Sequence, residues 1–529
     1  MIHKRINIMN FNQYILAIVG AGEAALPIIN KAKEMNIETL AFGRLDSIAK
    51  DQVNYFIEEN NFDIEYMSSI CKKYNVSGVI ASSEITTEAT AKLAHKLGLP
   101  GNSIENGFAG RNKYLMRCRV SAVDSIKQPH FELYTPNKDY HYPVIVKALD
   151  SCGKQGISLA NNREELESSV RYAYNKSSDG NVLIEEYLIG GQEYSIECLS
   201  YNNKHIIVQY TEKESSGPPH FVEIAHHQPA NLSDEMRDRI SLAVSDILDV
   251  LGLTCGMAHL ELKIIDDELY FIEVGARAGG GCIGDTLTIK STDFDYFKAA
   301  IECSIGIFKP TIIRNIAYTG IYFQLKWNEH LKKLFEISKT ASWCIKNTIK
   351  NDDFIDATSN IEKANSGYFI YCSDHKIGIS ECEDSYNVEL LNEHENSYTL
   401  IKEFCKKIGR YDSDNFDEWY KKIIKTAYIL AIKDKEVFAF SLLYNTDKTT
   451  DDCYICNVHV LDNYRGNGYS VMLLNKAIEI CKQNNLKTIY LHVNENNKRA
   501  VSVYRKFGFI TTGATDATEK LLEMKLQLE

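Results

Sequence analysis

The chain has 529 residues, of which 44% are hydrophobic and 25% are charged, a balance typical of a globular protein with about three or four domains. Its formal net charge of −12, without any long run of lysine and arginine, argues against nucleic acid as a partner, because a polyanion would be repelled. The composition also excludes disordered and fibrous proteins.

Fourteen cysteines are scattered along the chain. No secretory signal is recognised before them, since the longest apolar stretch near the start, Tyr14 to Val19, is too short for a signal peptide or a membrane span. We therefore expect reduced thiols, a cytoplasmic location and no membrane partner.

The first predicted domain is a small α/β unit, placed at residues 1–110. Its opening sequence, YILAIVGAGEAALPIINKAKEMNIETLAF, alternates as a strand, a glycine turn, a helix and a second strand. Gly20, Gly22 and Ala25 nearly match the dinucleotide pattern, but any tight strand-to-helix turn selects the same glycines. Asp46 is only loosely placed for a ribose contact, so a nicotinamide site is the disfavoured interpretation.

The second predicted domain, residues 111–310, has the pattern of antiparallel strands packed with helices. Its segment PVIVKALDSCGKQGIS places Lys147 at the end of a strand and follows it with a loop that contains Gly153, Lys154 and Gly156. That loop can fold over phosphates, although no serine or threonine follows its lysine as in a P-loop.

Several carboxylates follow near the ends of later strands. The segment NVLIEEYLIGGQE supplies groups that can contact an adenine ring and ribose hydroxyls, namely Glu185, Glu186, the Leu188 backbone and Glu193. The segments HLELK and FIEVGAR supply Glu261 and Glu273. Two such carboxylates suit Mg²⁺, which takes its remaining ligands from water and phosphate oxygens.

Taken in this order, the motifs resemble the ATP-grasp superfamily, in its carboxylate–amine ligase branch, over residues 14 to about 310. The resemblance rests on RNKYLMR, PVIVKA, IEEYL, QEYSIE, HLELK and the IEVGARAGG ending. It implies the small α/β N-terminal domain and two α+β lobes with ATP between them. It also implies a reaction, in which ATP phosphorylates a carboxylate, expected to be that of an amino acid, and an amine then displaces the phosphate.

The resemblance assigns individual residues as well. The phosphates would contact Lys113, Lys147 and the glycine loop; adenine would contact Glu185, Glu186 and Leu188; ribose would contact Glu193; Mg²⁺ would be held by Glu261 and Glu273. Arg277 would hold the reacting carboxylate as a bidentate donor. Many members have asparagine two residues after the second glutamate, where this chain has Gly275, so a second Mg²⁺ is expected to be held less firmly.

A separate C-terminal domain is predicted at residues 390–529, after a segment, 311–389, interpreted as the last part of the ligase and a linker. The main boundary is expected between 380 and 392. Near the centre of the C-terminal domain, a glycine turn precedes a long helix. The unpaired amides at the start of that helix can bind a pyrophosphate. The turn consists of Arg465, Gly466, Asn467, Gly468, Tyr469 and Ser470.

This half resembles the GNAT family of N-acetyltransferases through that turn and through the segment from Asn497 to Phe509, which has the pattern N-x-x-A-x-x-x-Y-x-x-x-G-F. The resemblance implies a GNAT fold, with Asn497 and the turn in the acetyl-CoA site. The amides of Val458 and Val460 would orient the thioester, and Tyr504 would protonate the departing thiolate. The base is left undetermined, with His459 as a nearby titratable group.

The sequence therefore predicts a bifunctional enzyme that uses ATP, Mg²⁺ and acetyl-CoA to join a carboxylate to an amine and to acetylate an amine, with a homodimer as the assembly considered. Two alternatives stay open. One is a biotin-carboxylase-like enzyme, although no biotinyl-carrier segment is recognised. The other is a binding protein that senses a nucleotide or an acyl-CoA, against which the retained Lys147, Glu261, Glu273 and Arg277 argue.

Overall fold

The structure is a computed structural model of the chain. It describes residues 14–105, 108–151, 153, 155–178, 180–217, 221–326, 329–349, 355–356, 367–378, 387–410, 413–433, 436–444, 450–465, 468–516 and 520–528. The chain divides into two compact units. The first unit comprises Met1–Trp327 and Ser338–Ile377, and the second comprises Asn328–Ile337 and Gly378–Glu529.

The first unit begins with a parallel four-stranded sheet and three helices. Its elements are β1 (Ile15–Val19), α1 (Leu26–Glu34), β2 (Glu38–Gly43), β3 (Tyr55–Glu58), α2 (Ile64–Lys73), β4 (Gly78–Ala81) and α3 (Thr87–Leu97). The strand order is β3-β2-β1-β4, and all three pairs are parallel. Because the carboxyl ends of parallel strands meet at one edge, the residues that follow β4 lie at the edge where ligands usually bind.

A second, antiparallel sheet of four strands follows, in the order β5-β8-β6-β7. The elements of this part are α4 (Lys113–Val120), β5 (Phe131–Leu133), β6 (Val144–Ala148), β7 (Ile157–Ala160), α5 (Arg163–Lys176) and β8 (Val182–Glu186). Helix α5 begins where Asn162 accepts a hydrogen bond from the backbone N–H of Glu165. The strands VIVKA and VLIEE are buried on both faces except at the last residue of β8, which places Lys147 and Glu185 inside the protein.

The largest sheet of the first unit has eight strands, in the order β13-β12-β9-β10-β11-β14-β18-β16. Its elements, with the small strand pair β15 and β17 and the intervening helices, are β9 (Gln192–Tyr201), β10 (Lys204–Ser215), β11 (Glu223–Gln228), α6 (Asp234–Leu251), β12 (Gly256–Ile265), β13 (Glu268–Gly275), α7 (Thr288–Ser291), α8 (Tyr296–Ser304), β14 (Tyr318–Phe323), β15 (Leu325–Lys326), β16 (Cys344–Asn347), β17 (Ile355–Asp356) and β18 (Tyr368–Ser373). Helix α9 (Glu329–Ser338), which lies between β15 and β16 in the chain, belongs to the second unit except for its last residue. Its described pairs are antiparallel, as the sequence predicted for residues 111–310.

Strands β14, β16 and β18 come from the segment 311–389, in which the sequence showed no motif. They continue the sheet beyond β11, and Ser338–Ile377 belongs to the first unit. The sequence interpreted this segment as the last part of the ligase and a linker but did not predict its strands, because alternating apolar residues carry no chemical signature.

The second unit has a sheet of seven strands in the order β19-β20-β21-β22-β23-β25-β24. Its further elements are β19 (Glu389–Leu390), α10 (Ser397–Lys407), α11 (Ser413–Thr426), β20 (Ala427–Lys433), β21 (Val437–Tyr444), β22 (Asp452–Val460), α12 (Tyr469–Gln483), β23 (Thr488–Asn494), α13 (Lys498–Lys506), β24 (Ile510–Asp516) and β25 (Leu521–Gln527). The pair β22–β23 is parallel. Among the described helices of both units, none is long and apolar enough to cross a membrane.

Candidate active site

One cavity of about 380 Å³ in the first unit brings together most of the residues singled out for a nucleotide and a metal. Its walls come from both antiparallel sheets and from the turn after β4. The predicted residues that line it are Lys113, Lys147, Gly153, Glu185, Glu186, Leu188, Glu193, Glu261, Glu273, Gly275 and Arg277. Ile145, Ile157 and Ile272 add apolar surface. A lining of apolar surface with a few convergent polar groups is the usual character of a small-molecule site.

Two carboxylates face each other across neighbouring strands of the large sheet. Glu261 in β12 and Glu273 in β13 are direct partners in the antiparallel register. Side chains of such partners project from the same face with Cβ atoms about 5 Å apart, a spacing that allows one divalent cation to bridge them. Lys113 Nζ lies 2.9 Å from a Glu273 oxygen, and Lys213 Nζ lies 2.6 Å from a Glu261 oxygen.

Nearby cations keep Glu261 ionised. Burial by itself would raise the pKa of Glu261, but the ammonium of Lys213 and the imidazole of His259 hold it well below its usual range. Carboxylate oxygens, as Glu261 and Glu273 offer them, are the hard donors that Mg²⁺ prefers. Among the residues that the structure describes, no cluster of three or more His, Cys, Asp or Glu side chains forms a ligand cage. Mg²⁺ commonly takes its remaining ligands from water and phosphate oxygens.

On the opposite wall, Glu185 is shared by two cations. One of its oxygens accepts from Arg117 Nε at 2.7 Å, and the other lies 2.7 Å from Lys147 Nζ. Burial opposes ionisation of Glu185, but Arg117 and Lys147 together lower its pKa to about 2. Because both oxygens are engaged, Glu185 fixes the direction of Lys147, and any adenine contact would use its remaining lone pairs.

The segment after β8, which contains Tyr187 and Leu188, is held in place by Lys263. Lys263 donates a 2.7 Å hydrogen bond to the carbonyl of Leu188, and its ammonium lies 5.8 Å from the centre of the Tyr187 ring. Burial lowers the pKa of Lys263, against the opposing charge of Glu193. The backbone that the sequence assigned to adenine is thus held by a side chain from β12, and Glu186 stands beside it at the exposed end of β8.

Arg277 reaches into the cavity from the end of β13 and is paired there. Its Nη2 lies 2.9 Å from a Glu84 oxygen, and its Nη1 donates to the carbonyl of Ala278. Glu84 belongs to the turn after β4 of the parallel sheet. Gly275 imposes no steric limit, because a Cβ there would meet the Arg277 side chain at ordinary contact distance.

Behind the acidic pair lies a second buried carboxylate, Glu197, which is fully inaccessible to solvent. One of its oxygens is bonded to Nδ1 of His259, and the other accepts from the backbone N–H of Gly279 at 2.9 Å. Burial would lower the pKa of His259, but Glu197 raises it to about 9. A Cβ on Gly279 would come within 2.5 Å of the Glu197 oxygen, so only glycine fits there.

The loop expected to cover phosphates is described only in part. Gly153 and Gly156 have φ angles of 62° and 70°, the left-handed region that favours glycine, and Gly153 lines the cavity. The carbonyl of Ser151 accepts a 2.8 Å hydrogen bond from Lys113, which ties the start of this loop to the acidic pair. Lys154 lies outside the described residues.

Sequence reasoning missed several lining residues. They are Glu84, Lys213, Glu223, His259 and Lys263. In HLELK, His259, Glu261 and Lys263 alternate along one strand, so the period of two could have placed all three on one face. Glu84 and Lys213 lie in segments far away in the chain, and their positions depend on the tertiary fold.

The second candidate site lies where β22 and β23 separate. The two strands are paired in register only from Asp452 to Tyr454, whereas β22 continues to Val460 along β21. Asn457 has a φ of 53°, and the register between β21 and β22 shifts beside it. The edge of β22 that carries Val458 and Val460 is therefore not paired to β23, so amides there can bind a ligand. Burial and the charges of Arg410 and Arg465 lower the pKa of His459 in the same stretch.

The turn before α12 has the expected geometry in its described part. Gly468, with φ of 74°, is the residue before the helix, which begins at Tyr469; Tyr469 is buried and Ser470 is partly buried. Arg465 donates from Nε to the carbonyl of Val460 at 3.1 Å. Gly466 and Asn467 lie outside the described residues.

Asn497 and Tyr504 belong to α13. The side chain of Asn497 accepts from the N–H of Ala500 and so starts the helix, a structural contribution in addition to any contact with a cofactor. Tyr504 is buried against the ring of Phe509, and this burial raises its pKa to about 12. The phenol thus keeps its proton throughout the neutral range.

Comparison with known proteins identifies two domain families in the chain. The model of the ATP-grasp domain matches residues 140–285, and the model of the acetyltransferase (GNAT) family matches residues 389–509. Among solved structures, the L-amino acid ligase from Bacillus licheniformis has a TM-score of 0.58 at 22% identity, covering 70% of this chain and 96% of that one. The N5-carboxyaminoimidazole synthetase from Staphylococcus aureus complexed with ADP has a TM-score of 0.55 at 16% identity, over 70% and 95%.

Two curated relatives match by sequence. Dapdiamide A synthase from Enterobacter agglomerans is 25% identical over 236 residues, which are 41% of this chain and 54% of that protein. An uncharacterized protein, y4rH, from Sinorhizobium fredii (strain NBRC 101917 / NGR234) is 24% identical over 275 residues, 49% of this chain and 56% of the relative. The chain thus spans little more than half the length of the curated relatives it matches.

These likenesses confirm the predicted fold class, an α/β and α+β multidomain protein with an ATP-grasp fold followed by a GNAT fold. The chain joins an ATP-grasp domain to a domain of the GNAT family.

Proposed function

We propose that the chain is a bifunctional enzyme. Its first unit would be an ADP-forming ligase that makes an amide bond between a carboxylate, taken to be that of an amino acid, and an amine. Its second unit would transfer an acetyl group from acetyl-CoA to an amine. The observation that carries the ligase proposal is the cross-strand pair Glu261 and Glu273 in a cavity that also contains Lys113, Lys147 and Arg277.

The nucleotide would lie along the cavity with its phosphates toward the acidic pair. Lys113 and Lys147 would neutralise phosphate charge, and the backbone at Leu188, with Glu186 and Glu193, would contact adenine and ribose. Mg²⁺, when held by Glu261 and Glu273, would neutralise the charge that builds on the phosphates during transfer. Glu185 would orient Lys147, because its carboxylate is already bonded to that ammonium.

The substrate carboxylate would bind at Arg277, whose guanidinium can exchange Glu84 for it. An oxygen of that carboxylate would attack the γ-phosphorus with loss of ADP. An amine would then attack the acyl carbon, the C–O bond to phosphate would break, and the amine would lose a proton. His259, with a pKa of about 9, would be a cation beside the phosphoryl oxygens at neutral pH.

In the second unit the amides of β22 beyond its separation from β23 would orient the thioester. The turn from Arg465 to Ser470 would bind the pyrophosphate at the start of α12. Tyr504 would give its proton to the thiolate, since burial keeps the phenol protonated. Ions and small molecules would be the partners of both units.

The test is an incubation of the purified chain with ATP, acetyl-CoA, Mg²⁺ and pairs of amino acids, with ADP and free CoA measured separately and products identified by mass. We expect ADP to form only when a suitable carboxylate and amine are both present, and CoA to be released with an amine acceptor. ADP formation that requires bicarbonate alone, or tight nucleotide binding without turnover, would contradict the ligase proposal.

The predicted domain boundaries, 1–110, 111–310, 311–389 and 390–529, and a homodimeric assembly belong to the same proposal. Limited proteolysis with mass analysis of the stable fragments tests the boundaries. Sedimentation at several concentrations tests the assembly, and a single species with the mass of one chain would contradict the dimer.

A further inference from the structure

The guanidinium of Arg117 lies behind the cavity and connects the two sheets that form its walls. It belongs to α4 and is only 2% exposed. Its Nε donates to Glu185 at the end of β8, in the four-stranded sheet. Its Nη1 and Nη2 donate to the carbonyls of Phe271 and Ile272 in β13, in the eight-stranded sheet, at 2.7 and 2.8 Å. Such a set of bonds uses the planar fork that distinguishes arginine from lysine.

The two carbonyls belong to an irregular part of β13. Glu273 pairs with Glu261 and Phe271 pairs with Leu262, so Ile272 is an extra residue on this strand. An extra residue of this kind is a β-bulge, which breaks the strict alternation of side chains and re-aims them. Accordingly, the consecutive residues Ile272 and Glu273 both line the cavity.

A bulge leaves backbone groups outside the regular ladder, and these need partners when they are buried. At this bulge Arg117 provides them: its Nη2 bonds the carbonyl of the extra residue, Ile272, and its Nη1 bonds the carbonyl before it. The N–H of Phe271 donates to the carbonyl of Lys127 on the same outer edge. The bulge is therefore held from outside the sheet.

Helix α4 also acts on the Glu273 side chain itself. Lys113 lies one turn before Arg117, and residues four apart share a face of a helix. Lys113 bonds Glu273, while Arg117 bonds the backbone directly before it. The same helix face thus positions both the backbone and the carboxylate at this point.

We propose that Arg117 is a positioning residue for the metal-binding carboxylate, because it fixes the bulge at Ile272 that directs Glu273 into the cavity. Through Glu185 it also fixes the position of Lys147 on the opposite wall of the cavity. This inference rests on the proposed function, in which Glu273 binds Mg²⁺. Arg117 does not line the cavity, so its effect would be indirect, through the two carbonyls and Glu185.

The test compares Arg117→Lys with wild type in the full chain. Lysine keeps the charge but cannot bond Glu185 and both carbonyls together. The probe is ADP, titrated by calorimetry at increasing Mg²⁺ concentrations. We expect the Mg²⁺ concentration for half-maximal ADP binding to rise about tenfold or more, as for other residues that orient metal ligands. Excess Mg²⁺ should restore part of the ADP formation rate.

The control is Leu248→Ala, which removes a fully buried side chain of α6 in the same unit. It should lower the melting temperature without changing the Mg²⁺ dependence. Because Arg117 is proposed to act through Glu273, Arg117→Lys should add no further Mg²⁺ requirement to Glu273→Gln.

An unchanged Mg²⁺ dependence in Arg117→Lys, or effects that simply add to those of Glu273→Gln, would overturn the inference and leave Arg117 a structural residue. Failure of the wild-type chain to bind ADP at any Mg²⁺ concentration would instead count against the proposed function. A cooperative melting transition of the first unit, measured by calorimetry, reports that each variant is folded.

Discussion

Replacement of Glu185 by glutamine should destabilise the first unit by several kcal/mol, although it removes only one charge. Glu185 is fully buried, and its two oxygens bond Arg117 and Lys147. Glutamine is neutral and one of its terminal groups is a donor, so both buried cations lose their anionic partner and one of them also loses its hydrogen-bond acceptor. Breaking a buried ion pair in this way costs about 3–5 kcal/mol.

The depressed pKa of Glu185 gives a similar value for its contribution to the free energy of unfolding. The two cations lower it from 4.5 to about 2, and each unit corresponds to about 1.4 kcal/mol, so the ionised carboxylate contributes on the order of 3 kcal/mol. Because the pKa is depressed in the folded state, this stability is present above pH 4.5 and is lost as the pH falls toward 2. The difference between wild type and Glu185→Gln should therefore be largest near neutral pH and shrink below pH 4.5.

The assay is differential scanning calorimetry of both proteins over this pH range, with the transition of the second unit, shifted by acetyl-CoA, as an internal reference. Glu186→Gln is the matched control: it changes the charge of the neighbouring residue, which is exposed, and should alter stability by less than about 0.5 kcal/mol. Equal stability of wild type and Glu185→Gln at neutral pH, or a difference that does not shrink in acid, would refute this account of Glu185.

Three further changes test other parts of the sites. Gly279→Ala should lower ADP formation about 100-fold, because the new Cβ would meet Glu197 at 2.5 Å, whereas Gly280→Ala, with no atom within 4 Å, should be tolerated. Tyr504→Phe should lower CoA release about 100-fold and leave ADP formation unchanged, and the wild-type rate should show no loss from this phenol below about pH 12. A Cβ atom at Gly275 would meet Arg277 at ordinary contact distance, and Gly275→Asn should lower the Mg²⁺ requirement of ADP formation; a higher requirement would count against a metal near this position.

The residues that could be predicted from the sequence are those with a recognisable local pattern. Glu261 and Glu273 stand at comparable points of two apolar strands, and the fold makes them register partners. Lys147 is the second-last residue of a buried strand, and Gly468, whose φ is left-handed, precedes a helix. In each case the local pattern, either the period of two along a strand or a glycine turn before a helix, is also found in the structure.

The roles of residues whose partners are distant in the sequence could not be predicted. Arg117 belongs to a helix rich in basic residues, and its neighbours in the sequence suggest a solvent-exposed side chain. Its hydrogen-bond partners, however, lie 68 and about 155 positions further along the chain. Glu84 meets Arg277 across 193 positions. Glu197 lies in the middle of β9, and only the positions of His259 and Gly279 show why a carboxylate is buried there.

The central claim, that one chain carries a metal-dependent ligase and a separate acetyl-transfer site, is tested most directly by Glu273→Gln. ADP formation and CoA release are measured on the same preparation, with the amino-acid pair and the acceptor that wild type uses. The account predicts that ADP formation is abolished, because one member of the Glu261–Glu273 pair is neutralised, while CoA release is kept. Retained ADP formation, or loss of both activities in a folded chain, would contradict it.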